Sequence, residues 1–122
     1  MPDDLHLQTS RVFKIVPAEA WTTALSQGFY SGSADDVRDG FIHLSTSAQI
    51  SGTLKKYFIG QPNLLVVAFT SVTLAPHLKW EPSRGGDLFP HFYGLLPVKS
   101  ALWHNTLPLG ADGIPVFDKD AL

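Results

Sequence analysis

The sequence predicts an α+β domain with a largely antiparallel or mixed sheet. Two runs read as strands: 11–16 alternates and is rich in β-formers, and 64–69 is apolar throughout. Two stretches, 18–27 and 47–58, carry apolar residues at helical spacing. Two or three helices are too few for a doubly wound βαβ array, so they must cover a sheet rather than alternate with its strands.

The elements follow from local chemistry. Pro17 ends the first strand and fits a helix start. Ala20, Trp21, Ala24 and Leu25 then form an apolar stripe, with Trp21 expected in the core, and Gly28 is placed to cap the helix. Residues 29–39 combine two serines, one glycine and three aspartates, which reads as loop chemistry closed by an Asp39-Gly40 turn. Asp35, Asp36 and Asp39 lack the spacing and closing Glu of a calcium loop, so they are expected as turn formers and a helix cap. Residues 41–45 read as a strand, with Ser45 or Thr46 as N-cap of the helix over 47–58. The continuous run 64–69 reads as a central strand buried on both faces. Residues 71–79 read as a strand end and loop. Residues 80–94 hold two prolines, three glycines and several charged and aromatic groups, the composition of a functional loop. Residues 95–103 read as a last strand or strand–turn, and the tail 105–122 as loop.

Length and composition bound the function. A chain of 122 residues, 44% hydrophobic and 16% charged, is one folded domain, expected over 11–122 behind a loose polar arm at 1–10. The net charge of −2 and the lack of a basic block argue against nonspecific nucleic-acid binding. With no cysteine, disulfides, thiolate metal sites and a cysteine nucleophile are excluded. The acidic start lacks an apolar core for a signal peptide, and the longest apolar run is too short to span a bilayer. A soluble cytoplasmic protein with no membrane partner is the default reading, and the oligomeric state is left open.

Two constellations carry chemistry. In the first, period two puts Phe41, His43 and Ser45 on one strand face, followed by Thr46 and Ser47. His43 is expected to serve the site, against the bland reading of a half-buried histidine satisfied by a neighbouring carbonyl. A Ser-His-Asp hydrolase is disfavoured, because parallel side chains two apart do not converge and no Gly-x-Ser-x-Gly elbow exists. In the second, Glu81 and Asp87 are candidates to bind ribose hydroxyls or act as a base, and Arg84 beside two glycines is a candidate phosphate holder. His91 and Tyr93 lie in an aromatic cluster able to stack a flat ring or to form core. The plain alternative is an Arg–carboxylate pair stabilising a loop. A metal site on His43, His91, Asp87 and Glu81 has no supporting spacing. His6, His77 and His104 read as surface residues.

Several segments together carry a family resemblance: Gly40 to Thr46, Gln49, Lys56 to Phe58, Trp80-Glu81, Ser83 to Gly86, and Leu88 to Gly94. Over about 12–103 the chain resembles a small bacterial family of unknown function, numbered 952. The resemblance implies a fold grouped with the ADP-ribosyltransferases: split antiparallel or mixed sheets that in enzymes bind NAD. By that likeness Ser45, Thr46 and Ser47 would be the pocket's Ser-Thr-Ser hydroxyls. Lys14 would stand where those enzymes use an Arg or His on the first strand, and Asp87 or Glu81 would replace their late glutamate at the ribose. The catalytic candidates are therefore His43, Glu81, Asp87 and His91. The substrate-binding candidates are Lys14, Tyr30, Ser45, Thr46, Ser47, Arg84 and Tyr93. The expected function is binding of NAD or a related nucleotide between 40–47 and 81–93, with ADP-ribosyl transfer as the reaction and NAD as substrate rather than cofactor. The alternatives are a non-catalytic nucleotide- or phosphate-binding module and a metal-assisted hydrolase.

Overall fold

The computed structural model describes residues 10–118; the expected N-terminal arm lies almost wholly outside them. Arg11–Pro17 forms β1, and Ala18–Gln27 forms α1, which ends on the left-handed Gly28. Phe29–Tyr30 is β2, Ala34–Asp39 is α2, and the broken pair Ile42–His43 and Ser45–Thr46 gives β3 and β4. Ile50–Tyr57 is α3 and Leu64–Thr70 is β5. The short α4 (Ser71–Leu74) leads into β6 (Leu78–Ser83) and β7 (Asp87–Phe92), followed by β8 (Leu96–Pro97) and β9 (Trp103–Leu107). The strands make three antiparallel sheets: β4-β1-β5-β9, β3-β7-β6 and the small β2-β8 pair. This is the expected α+β class, with four α-helices among the described residues.

The four-stranded sheet is buried on both faces, as the apolar run of β5 requires. Leu65, Val67 and Phe69 face one core with Trp21 and Ala24 of α1. Leu64, Val66 and Ala68 face a second core with Ile50 and Leu54 of α3. Lys14 lies between Val12 and Val16 on the α1 side of β1, a charged group inside an apolar row.

Several local expectations fail. Residues 29–39 are not one loop. Ser33 caps α2 through a capping box with Asp36, and that nucleates a helical turn among polar residues. The strand expected over 41–45 breaks at Leu44, whose N–H still bonds Pro90 O of β7 (3.0 Å) before Ser45 joins β1 opposite Phe13. The helix expected from 47 starts at Ile50, and neither Ser45 nor Thr46 caps it. Instead the Gln49 side chain accepts from Thr46 N–H (3.1 Å) and closes a tight turn. Residues 80–94 are a β-hairpin rather than a loop. Pro82 is tolerated because β6 is an edge strand. The tail also carries a strand, β9, on the edge of the large sheet. Trp21 is buried as expected, whereas Leu25 turns to solvent.

Candidate functional site

The site begins with a charge that the fold buries. Asp36, at the third position of α2, is only 3% exposed. Gly40 (φ +85°) ends α2 in the left-handed region and turns the chain back, so β3 runs beside the helix. Asp36 then meets four groups. Its Oδ2 accepts from Ser33 N–H (2.9 Å) and from the Lys14 ammonium (2.9 Å), and its Oδ1 accepts from His43 N–H (3.0 Å) and lies 2.6 Å from His43 Nδ1. Burial alone would push this carboxyl up. The His43, Lys14 and Ser33 bonds outweigh it and hold Asp36 well below the usual carboxylate range. Burial lowers the Lys14 ammonium, opposed by Asp36. Lys14 also donates to His43 O (3.0 Å) and sits 5.9 Å from the Tyr30 ring centroid. Tyr30 is buried, and both that burial and the Asp36 charge raise its phenol. On the other side of the imidazole, His43 Nε2 lies 3.0 Å from Asp39 Oδ2. Asp39 itself accepts from Arg38 (3.1 Å) and is held low chiefly by that bond.

The second wall is one face of the three-stranded sheet. Alternation puts Ile42, Leu78, Trp80 and Phe92 toward the core, and Phe41, His43, Glu81, Phe89, His91 and Tyr93 on the opposite face. His43 and His91 are ladder partners, with ring centroids 5.7 Å apart. Phe41 stacks on His91 at 4.0 Å and reaches His43 at 4.6 Å, fixing both rings. Glu81 Oε1 lies 2.8 Å from His91 Nδ1 and accepts the Tyr93 hydroxyl at 2.7 Å. Those two bonds hold Glu81 low, and the same contact raises Tyr93.

Between the walls is a cleft of about 270 Å³, lined by Lys14, His43, Ser45, Phe89 and His91 among others. Ser45 is buried, with Oγ 3.1 Å from Thr53 Oγ1. The predicted residues therefore divide. Lys14, His43, Ser45 and His91 line the cleft, and Glu81 and Tyr93 stand behind His91. Tyr30 is a core residue beneath Lys14, and Thr46 and Ser47 are not among the described lining residues. Arg84 opens the turn at the hairpin tip. Asp87 is exposed at the same tip, four residues before His91, and so about 13 Å away along the strand. It does not join the histidines. Among the described residues no three His, Asp or Glu groups are arranged to hold a metal ion.

Sequence reasoning missed the centre of the site. Asp36 was expected only as a turn former or cap, and Asp39 only in a turn. The available signal was the Ser33-x-x-Asp36 spacing of a capping box, which places Asp36 and Asp39 one helical turn apart on one face.

A family model described as "Protein of unknown function (DUF952)" matches residues 15–104. The crystal structure of protein CC0527 from Caulobacter crescentus is 44% identical, covers 88% of this chain and 94% of its own, and superposes with a TM-score of 0.86. The solution NMR structure of CC0527 is also 44% identical, with 92% and 96% covered and a TM-score of 0.81. No curated protein matches the sequence.

Proposed function

This chain belongs to the DUF952 family, and we propose that its cleft binds the ribosyl end of NAD or a related nucleotide and acts on the glycosidic carbon, as ADP-ribosyltransferases do. The observation that carries this is the juxtaposition, in one cleft, of two histidines each held at Nδ1 by a carboxylate, beside the Ser45 hydroxyl. Charge supports the choice of ligand end. Asp35, Asp36 and Asp39 outnumber Lys14 and Arg38 on the lining, and Lys14 is spent on Asp36. Such a cleft favours the oxocarbenium-like charge that develops when the glycosidic bond breaks. It disfavours the pyrophosphate. Its volume, about 270 Å³, lies just below the roughly 300–1,000 Å³ of a site enclosing a drug-sized ligand. One end of a dinucleotide suits it, with the remainder outside. Of the two carboxylates proposed for the ribose, Glu81 is the one beside His91.

The experiment is incubation of the purified protein with NAD, reading released nicotinamide and the melting temperature together. Release supports transfer or hydrolysis. A raised melting temperature without release favours the non-catalytic binding module, for which the buried, already paired Lys14 is the specific argument. Neither effect, with NAD and ADP-ribose both tried, refutes the nucleotide reading. A metal-assisted hydrolase finds no convergent ligand set among the described residues.

A further inference from the structure

Resting on the glycosidic reading, we propose that His43 and His91 form a preset acid–base pair, His43 Nε2 giving a proton to the leaving base nitrogen and His91 Nε2 taking one from the attacking water. The assignment comes from what each ring nitrogen faces. Carboxylates held ionised can only accept. Asp36 stands 2.6 Å from His43 Nδ1 and Asp39 stands 3.0 Å from His43 Nε2, so making both bonds requires hydrogen on both nitrogens. Around His91 only Nδ1 meets a carboxylate, Glu81, which also accepts from Tyr93. Among the described residues His91 Nε2 has no hydrogen-bond partner, although His91 lines the cleft and is 4% exposed. With Nδ1–H donated to Glu81 and no partner at Nε2, the geometry leaves His91 Nε2 as the acceptor, 5.7 Å between ring centroids from His43. The groups facing the pair from every packed element are Lys14 on β1, Asp36 and Asp39 on α2, Lys79 and Glu81 on β6 and Tyr93 after β7; Lys79 is the ladder partner of His91 and lies over the Tyr93 ring at 4.9 Å.

The step balances. A water oxygen forms the bond to the anomeric carbon, and its proton passes to His91 Nε2. The carbon–nitrogen bond breaks with its electron pair going to the base nitrogen, which receives the proton from His43 Nε2. Solvent exchange returns both rings to their starting forms. Asp39 occupies the place of the leaving nitrogen in the ligand-free cleft, and it is a half-exposed rim group that a substrate can displace. A built-in acid has little use when nicotinamide leaves, because a pyridinium departs as a neutral base. It matters for an uncharged N-riboside, which is therefore the substrate class this pair fits.

Two-bond proton–nitrogen correlations on the labelled, ligand-free protein near neutral pH test the assignment without any nucleotide. Hydrogen on both nitrogens of His43 and on Nδ1 alone of His91 is expected. Asp39→Ala, at the rim where folding is not at stake, removes the acceptor at His43 Nε2 and should strip the hydrogen from that nitrogen while leaving His91 unchanged. Hydrogen on His91 Nε2, or a neutral His43 in the unsubstituted protein, overturns the pair. With substrate, His43→Gln should lower cleavage of a purine riboside by about 100-fold or more, the scale of general acid catalysis, and nicotinamide release from NAD by under about tenfold. Equal losses on both overturn the acid role. A protein that cleaves neither sinks the nucleotide reading, and the nitrogen spectra then decide the pair alone.

Discussion

Asp36→Asn probes how the fold tolerates its buried charges. In the folded chain Asp36 balances Lys14, accepts two backbone N–H groups and orients His43. The amide removes the countercharge while Lys14 stays buried, leaving it only neutral carbonyl acceptors such as that of His43. Breaking a buried pair from one side costs about 3–5 kcal/mol, which for a domain of this size is a fall of roughly 10–20 °C in melting temperature. Lys14→Met should cost less, because Asp36 would still have Ser33, the His43 backbone and the His43 ring. The double substitution should cost clearly less than the two single ones together, since it removes the desolvation of both groups. The acid limb of stability gives an independent reading. Asp36 binds its proton more weakly folded than unfolded, so its contribution is complete above the usual carboxylate range and is lost as pH falls below it. Asp36→Asn should therefore flatten the loss of stability below about pH 4. Urea unfolding at several pH values measures both. A single-substitution cost below about 1 kcal/mol, or additive single costs, would refute the account of Asp36 as the charge that makes Lys14 burial tolerable.

Three further outcomes are expected. Glu81→Gln should lower the pH at which Tyr93 ionises, because the Glu81 carboxylate raises that phenol; ultraviolet difference titration against Tyr93→Phe isolates the signal. Gly40→Ala should cost about 1 kcal/mol by thermal unfolding. Nothing lies within 4 Å of the added carbon, so the cost is that of the left-handed backbone alone. Phe69→Ala should cost about 3–5 kcal/mol, because Phe69 is fully buried in the α1 core; a cost near zero would mean that the core recloses around it.

The strands of the large sheet were legible because burial wrote them directly into the residues. An apolar run such as 64–69 has no other stable place than a sheet covered on both sides. The hairpin was hidden for the converse reason. Its strands carry Lys79, Glu81, Ser83, Asp87 and His91 on one face, and that face borders the site instead of core. Polar alternation with prolines then looks like loop. Nor could propensity tell that Leu44 ends one sheet and Ser45 enters another, since that depends on which strands β3 and β4 meet. His43, Ser45 and His91 were found by residue type and spacing, and all three line the cleft. Asp36 was not, because its role comes from a lysine 22 positions earlier and a histidine seven later, and only the fold brings them together.

That dependence runs in both directions. The helix α2 is six residues long, too short to hold in water by itself. Its inner face presents Asp36 rather than an apolar stripe, so the bonds from Lys14, Ser33 and His43 anchor it where packing would otherwise do so. The same bonds fix the His43 ring. Stability of this corner and geometry of the cleft are thus set by one carboxylate, and substitutions at Asp36 will change both together. Asp39 is where they separate, because it touches His43 Nε2 from the rim, half exposed, and supports no buried group. A change there alters what the imidazole faces while leaving the corner folded, which makes Asp39 the residue through which the chemistry of the cleft can be read apart from its stability.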